Sequence, residues 1–116
     1  MFIHLALHHP KNPATKSTMM AMMPQWAEVQ SRQKGFRHVV VGEVQDENII
    51  FLVGMWESER DFMSAMPALG GFLSKIDFPS LQDGPTRSGH LDVSTAGPLT
   101  TIKVGPVSGP PRPSPS

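Results

Sequence analysis

Two stretches of this chain are apolar without alternation: Val39-Val40-Val41 and Ile49 to Val53. Runs of β-branched residues at this density favour strands. A strand with one wet face alternates apolar and polar residues, and these strands do not. The sheet they build must therefore be covered on both faces. Two helices can cover one face. A chain of 116 residues has no further layer to lay on the other, so a second copy is the simplest cover and a homodimer is expected. A domain this short also buries only about two-thirds of its unfolded surface, which makes a partner useful.

The remaining elements follow from local signals. Phe2 to His8 reads as a first strand, apolar on both faces. Asn12-Pro13 is a helix start, with Asn12 as cap and Pro13 at the first helical position. The helix is expected to reach Lys34 and stop at Gly35, with Met19, Met22, Met23, Trp26 and Val29 on its apolar face. Pro24 lacks the N–H for the carbonyl of Met20, so a kink or break is expected there. Phe36 to Val44 and Ile49 to Trp56 form a hairpin around Gln45-Asp46-Glu47-Asn48. Ser58 caps a second helix carrying Phe62, Met66, Leu69, Leu73 and Ile76, which Pro67 and Gly70-Gly71 are expected to split in two. Beyond Phe78-Pro79 only Leu91 to Val93 and Leu99 to Val104 read as strands. One should complete the sheet, and the other should pair with it or reach across a dimer. The fold class is thus α+β, a ferredoxin-like βαββαβ domain with an antiparallel sheet over residues 1–104, followed by a Pro/Gly/Ser-rich tail at 105–116.

Composition excludes several functions. Ten basic and ten acidic residues balance to zero, so no basic excess favours nucleic acid and no basic amphipathic run favours a membrane surface. The absence of cysteine removes thiolate catalysis and Cys-type zinc sites. The N-terminal run, broken by histidines and without a basic region, is neither a signal peptide nor a membrane span, and a cytoplasmic location is expected. No phosphate-binding glycine loop, Ser-His-Asp order or convincing carboxylate pair occurs.

Chemistry-bearing side chains are few. His4 and His8 share one face of the first strand, because side chains alternate with period two. Either can serve as a general base in a pocket. The competing reading makes one a hydrogen-bonded sheet residue and the other an exposed strand end. His8 and His9 point to opposite faces and do not share a metal ion. His38 belongs at an edge or interface. Met23, Met55, Met66, Trp26, Trp56 and Phe62 can line a pliable pocket for a small flat apolar or aromatic molecule, although such a stripe also serves as plain core.

The element order, Gly35-Phe36, the hairpin, and Trp56-Glu57-Ser58-Glu59-Arg60-Asp61-Phe62 together resemble the antibiotic biosynthesis monooxygenase family of dimeric α+β barrels. There the hairpin ends in Trp-x-Ser, and an aromatic follows on the second helix. The resemblance runs over residues 2–76. It implies an oxidoreductase that oxidises a phenol- or quinol-like aromatic with molecular oxygen and no cofactor. His4 or His8 would be the base, and the Trp and Met side chains the walls. Haem-degrading relatives carry a histidine on or after the second helix and an asparagine in the first strand. Here the helix position falls near Ala65, no histidine follows until His90, and the first strand has no asparagine, so haem is disfavoured. The alternative is a non-catalytic dimer that binds a small hydrophobic ligand.

Overall fold

The computed structural model describes residues 1–106; the expected extended tail lies, apart from its first two residues, outside the described residues. The elements are β1 (Phe2–His8), α1 (Pro13–Ser31), β2 (Phe36–Glu43), β3 (Ile50–Trp56), α2 (Glu59–Leu73), α3 (Phe78–Leu81), β4 (Arg87–Ala96) and β5 (Leu99–Gly105). The sheet order is β2-β3-β1-β4-β5, and every neighbouring pair is antiparallel. This is the ferredoxin-like α+β arrangement with one strand added. β4 completes the sheet beside β1, and β5 pairs with β4 alone.

Both helix caps form as expected. Thr15 N–H donates to Asn12 Oδ1 at 2.9 Å and Asn12 N–H to Thr15 Oγ1 at 3.1 Å, a reciprocal box. Asp61 N–H donates to Ser58 Oγ at 3.1 Å. The helix bounds differ from expectation. α1 ends at Ser31, not Lys34, and a short turn carries the chain to Gly35. Gly35 adopts φ +84°, the left-handed region, and a Cβ there would run into Asp61. Neither Pro24 nor Pro67 with Gly70-Gly71 breaks its helix: both α1 and α2 are continuous. A lost N–H and poor propensity are local penalties, and packing of a buried face outweighs them.

Strand register sorts the side chains. His4, Ala6 and His8 lie on the helix-covered face with Gly54, Leu52 and Ile50 directly opposite on β3. Two apolar clusters form under the helices. Met19 joins Ala6, Ile50 and Leu52, while Trp56, Phe62, Ala65 and Leu69 form the second. The other face carries Ile3, Leu5, Leu7, Phe51, Val53 and Met55 by the same alternation, and among the described residues no helix covers it. Val40 and Val93, at 43% and 48% exposed, extend this apolar face to both sides. β1 pairs with β4 only from Leu7–Arg87 to His4–His90. The rest of β4 continues with β5 as a two-stranded arm on which Val93, Leu99, Ile102 and Val104 are exposed.

Candidate functional site

Between the helices and the sheet lies a cavity of about 300 Å³. Its walls follow from the elements already placed. α1 contributes Met19, Met22, Met23 and Trp26; α2 contributes Phe62, Met66, Leu69 and Phe72. Trp26 and Phe72 stack across the two helices with ring centroids 5.6 Å apart. Leu52 and Gly54 of β3 form part of the floor. Gly54 faces His4 across the strand pair, and its missing side chain leaves room beside Trp56 Nε1 and Gln30 Oε1. The polar side chains in the lining are His4, His8, Gln30, Thr86 and Ser88.

The two histidines named from the sequence both line the cavity, on the face that period-two alternation assigns them. They stand apart, since four residues of strand span about 13 Å. His4 packs its ring against Phe62, with centroids 4.6 Å apart. His8 is buried, stacks on Phe78 at 5.7 Å, and is held by polar neighbours. Its Nδ1 lies 2.9 Å from Gln82 Oε1 and 3.2 Å from Thr86 Oγ1. Gln82, also buried, donates from Nε2 to Gly84 O and to Thr86 Oγ1, both at 3.1 Å. Backbone bonds fasten this segment to the end of β1: Lys11 N–H donates to Leu81 O, and Asp83 N–H to His9 O. Gln82 and Gln30 were not singled out in the sequence. Glutamine has no motif of its own, and Gln82 falls where strand and helix signals are weakest.

Burial pushes the His8 pKa below the usual histidine value; the Gln82 hydrogen bond partly offsets this, and the neighbouring His9 charge adds to it. The ring is therefore neutral near pH 7. Its linkage to stability has a definite sign. The unfolded chain binds the proton at about pH 6.5 and the folded chain only at lower pH. Stability should thus fall as pH drops through about 6.5, and stop falling on this account below the folded-state value. Urea unfolding between pH 8 and 5 should show this slope, and His8→Gln should flatten it.

Trp26, Met23, Phe62 and Met66 line the cavity where the sequence placed them. Met55 does not. It lies between Gly54 and Trp56, both on the helix side, so alternation turns it to the uncovered face opposite Ile3 and His38. Trp56 is fully buried behind the lining, edge-on to Phe36 and Phe62 with centroids at 5.3 and 5.6 Å. His38 is exposed on the edge strand β2. Among the described residues no three His, Cys, Asp or Glu side chains gather as metal ligands, and no helix is long and apolar enough to cross a membrane.

No family model and no curated protein matches the sequence. Solved structures do match. Rv0793 from Mycobacterium tuberculosis superposes with a TM-score of 0.66 at 15% identity, covering 82% of this chain and 96% of that one. SnoaB from Streptomyces nogalater, described as a cofactor-independent oxygenase, gives 0.64 at 17% identity over 84% of this chain and 97% of its own. A structure named antibiotic biosynthesis monooxygenase gives 0.66 at 8% identity, covering 82% of this chain and all (100%) of the other. The chain thus has the α+β fold of the antibiotic biosynthesis monooxygenases, the fold to which its Trp56-Glu57-Ser58 stretch and element order point.

Proposed function

We propose that this protein is a cofactor-independent monooxygenase acting on a small flat phenol- or quinol-like aromatic. The observation that carries the reading is His8, a buried neutral imidazole in the wall of an otherwise apolar cavity. Such a ring can take the hydroxyl proton of a phenol, and the resulting anion is electron-rich enough to react with oxygen. The reaction balances without a cofactor: a phenol plus O2 gives a quinone plus water, with the substrate supplying the electrons. The Met, Phe and Trp walls exclude water from the anion and fit an aromatic plane. An oxygen-bearing ligand also suits the far end of the cavity. Trp56 Nε1 is a buried N–H without an acceptor among the described residues, and a ligand hydroxyl over Gly54 would sit beside it and beside the acceptor Gln30 Oε1. The likeness to SnoaB, described as a cofactor-independent oxygenase, supports the same reading.

The test is oxygen consumption by metal-stripped protein across a panel of phenols and hydroquinones. Oxygen uptake matched by quinone formation is the expected result, and a protein that binds these compounds without oxygen uptake would refute the reading.

We assign the second copy to the uncovered sheet face, where Ile3, Leu5, Val53 and Met55 meet no further layer among the described residues. Val53→Asp would bury a carboxylate there, at a cost of several kcal/mol, and should weaken the dimer by about 100-fold or more. Native mass spectrometry at micromolar concentration should then show a monomer in place of the parent dimer.

A further inference from the structure

The polar cluster at the α3 end of the cavity determines more than the position of His8. Gly84 O is a carbonyl and can only accept, so the Gln82 atom facing it at 3.1 Å must be the amide N–H. That choice orients the whole amide and turns Oε1 toward His8 Nδ1 at 2.9 Å. An amide oxygen also only accepts, so Nδ1 must be the donor. Thr86 Oγ1, at 3.2 Å from Nδ1, takes a hydrogen bond from Gln82 Nε2 and presents an oxygen to the same ring proton. A neutral imidazole with its proton on Nδ1 carries its lone pair on Nε2.

We infer that Gln82 is a positioning residue: it holds His8 in the tautomer with the proton on Nδ1, leaving Nε2 as the ring's only proton acceptor. The amide cannot easily turn over, because the flipped form would set its oxygen against Gly84 O. The backbone helps hold it. Gln82 N–H donates to Phe78 O at 2.9 Å, and Phe78 stacks on the His8 ring. The short α3 helix thus brings both the acceptor for Nδ1 and the aromatic plane that sets the ring's tilt. For its chemical consequence this inference rests on the reading of His8 as the base. The proton of a bound phenol would pass from its oxygen to Nε2, giving a phenolate and an imidazolium whose Nδ1–H still points at Gln82.

The tautomer can be read without turnover. Two-bond nitrogen–proton correlation spectra of protein labelled with 15N-histidine separate the two neutral forms, and His8→Gln identifies the His8 signals among the five histidines. The wild-type ring should be protonated on Nδ1. Gln82→Leu should return it to a mixture of the two forms. A wild-type His8 protonated on Nε2, or a Leu variant with an unchanged tautomer, would overturn the inference. Because the wild-type spectrum decides by itself, failure of the Leu variant to fold does not remove the test. Bound 4-nitrophenol, whose anion absorbs visibly, reads the consequence separately. Its anion fraction should fall about five-fold in Gln82→Leu, the equivalent of one ordinary hydrogen bond. A ring locked as stated that takes no proton from 4-nitrophenol would leave the lock standing and remove the base reading.

Discussion

Oxygen consumption by the His8→Gln variant should be slower than that of the parent by roughly 100- to 10,000-fold, the usual contribution of a positioned general base. Glutamine approximates the length of histidine and can still hydrogen-bond to Gln82, so the cavity wall should survive. It has no lone pair basic enough to take a phenol proton. Binding of the aromatic should change little, because the Met, Phe and Trp side chains supply most of the contact area. The expected pattern is therefore a fall in kcat at nearly constant ligand affinity. The non-catalytic alternative makes the opposite forecast: the parent protein itself would bind and not turn over. His4→Gln should have a smaller effect on kcat, since His4 lies about 13 Å away along β1, against Phe62.

The largest stability change is expected at Trp56. Its side chain is fully buried and meets Phe36 and Phe62 edge-on. Truncation to alanine removes the transfer free energy of an indole and leaves a void between β3 and α2. Such changes cost about 3–5 kcal/mol, a large share of the stability of a small domain. Urea unfolding of Trp56→Ala should show an extrapolated unfolding free energy lowered by that amount. Trp56→Phe should cost less, because the aromatic packing remains and the indole N–H, which has no acceptor among the described residues, is removed with no partner left behind.

How far this was legible in the sequence depends on what each element answers to. Strands β2 and β3 were readable because consecutive Val and Ile residues have strong strand propensity. The caps at Asn12 and Ser58 were readable because a side-chain oxygen before a helix has one strong local use. Of the kink or break expected at Pro24 and the split expected at Pro67, neither a break nor a split occurs, since those penalties are local and the packing that overrides them is not. Met55 was misplaced on composition alone; it is one residue from both Gly54 and Trp56, so alternation puts it on the opposite face. The placing of His4 and His8 on one face of β1 followed from the same count. What surrounds His8 could not be read, because Gln82 and Thr86 stand 74 and 78 residues away from it and arrive by way of a helix of only four residues.

The two-stranded arm has a consequence for how this chain can associate. Among the described residues, β4 from Leu91 to Ala96 has a strand on one side only, and β5 has none beyond it. Bare strand edges offer unpaired amides and carbonyls to any extended chain that meets them. With Val93, Ile102 and Val104 beside those edges, the arm is an open-ended template. Exchange of arms between two copies is self-limiting, because each edge finds its match and the figure closes; addition in one direction does not close and grows into a fibre. The same bare edges thus serve closed pairing and open-ended growth alike.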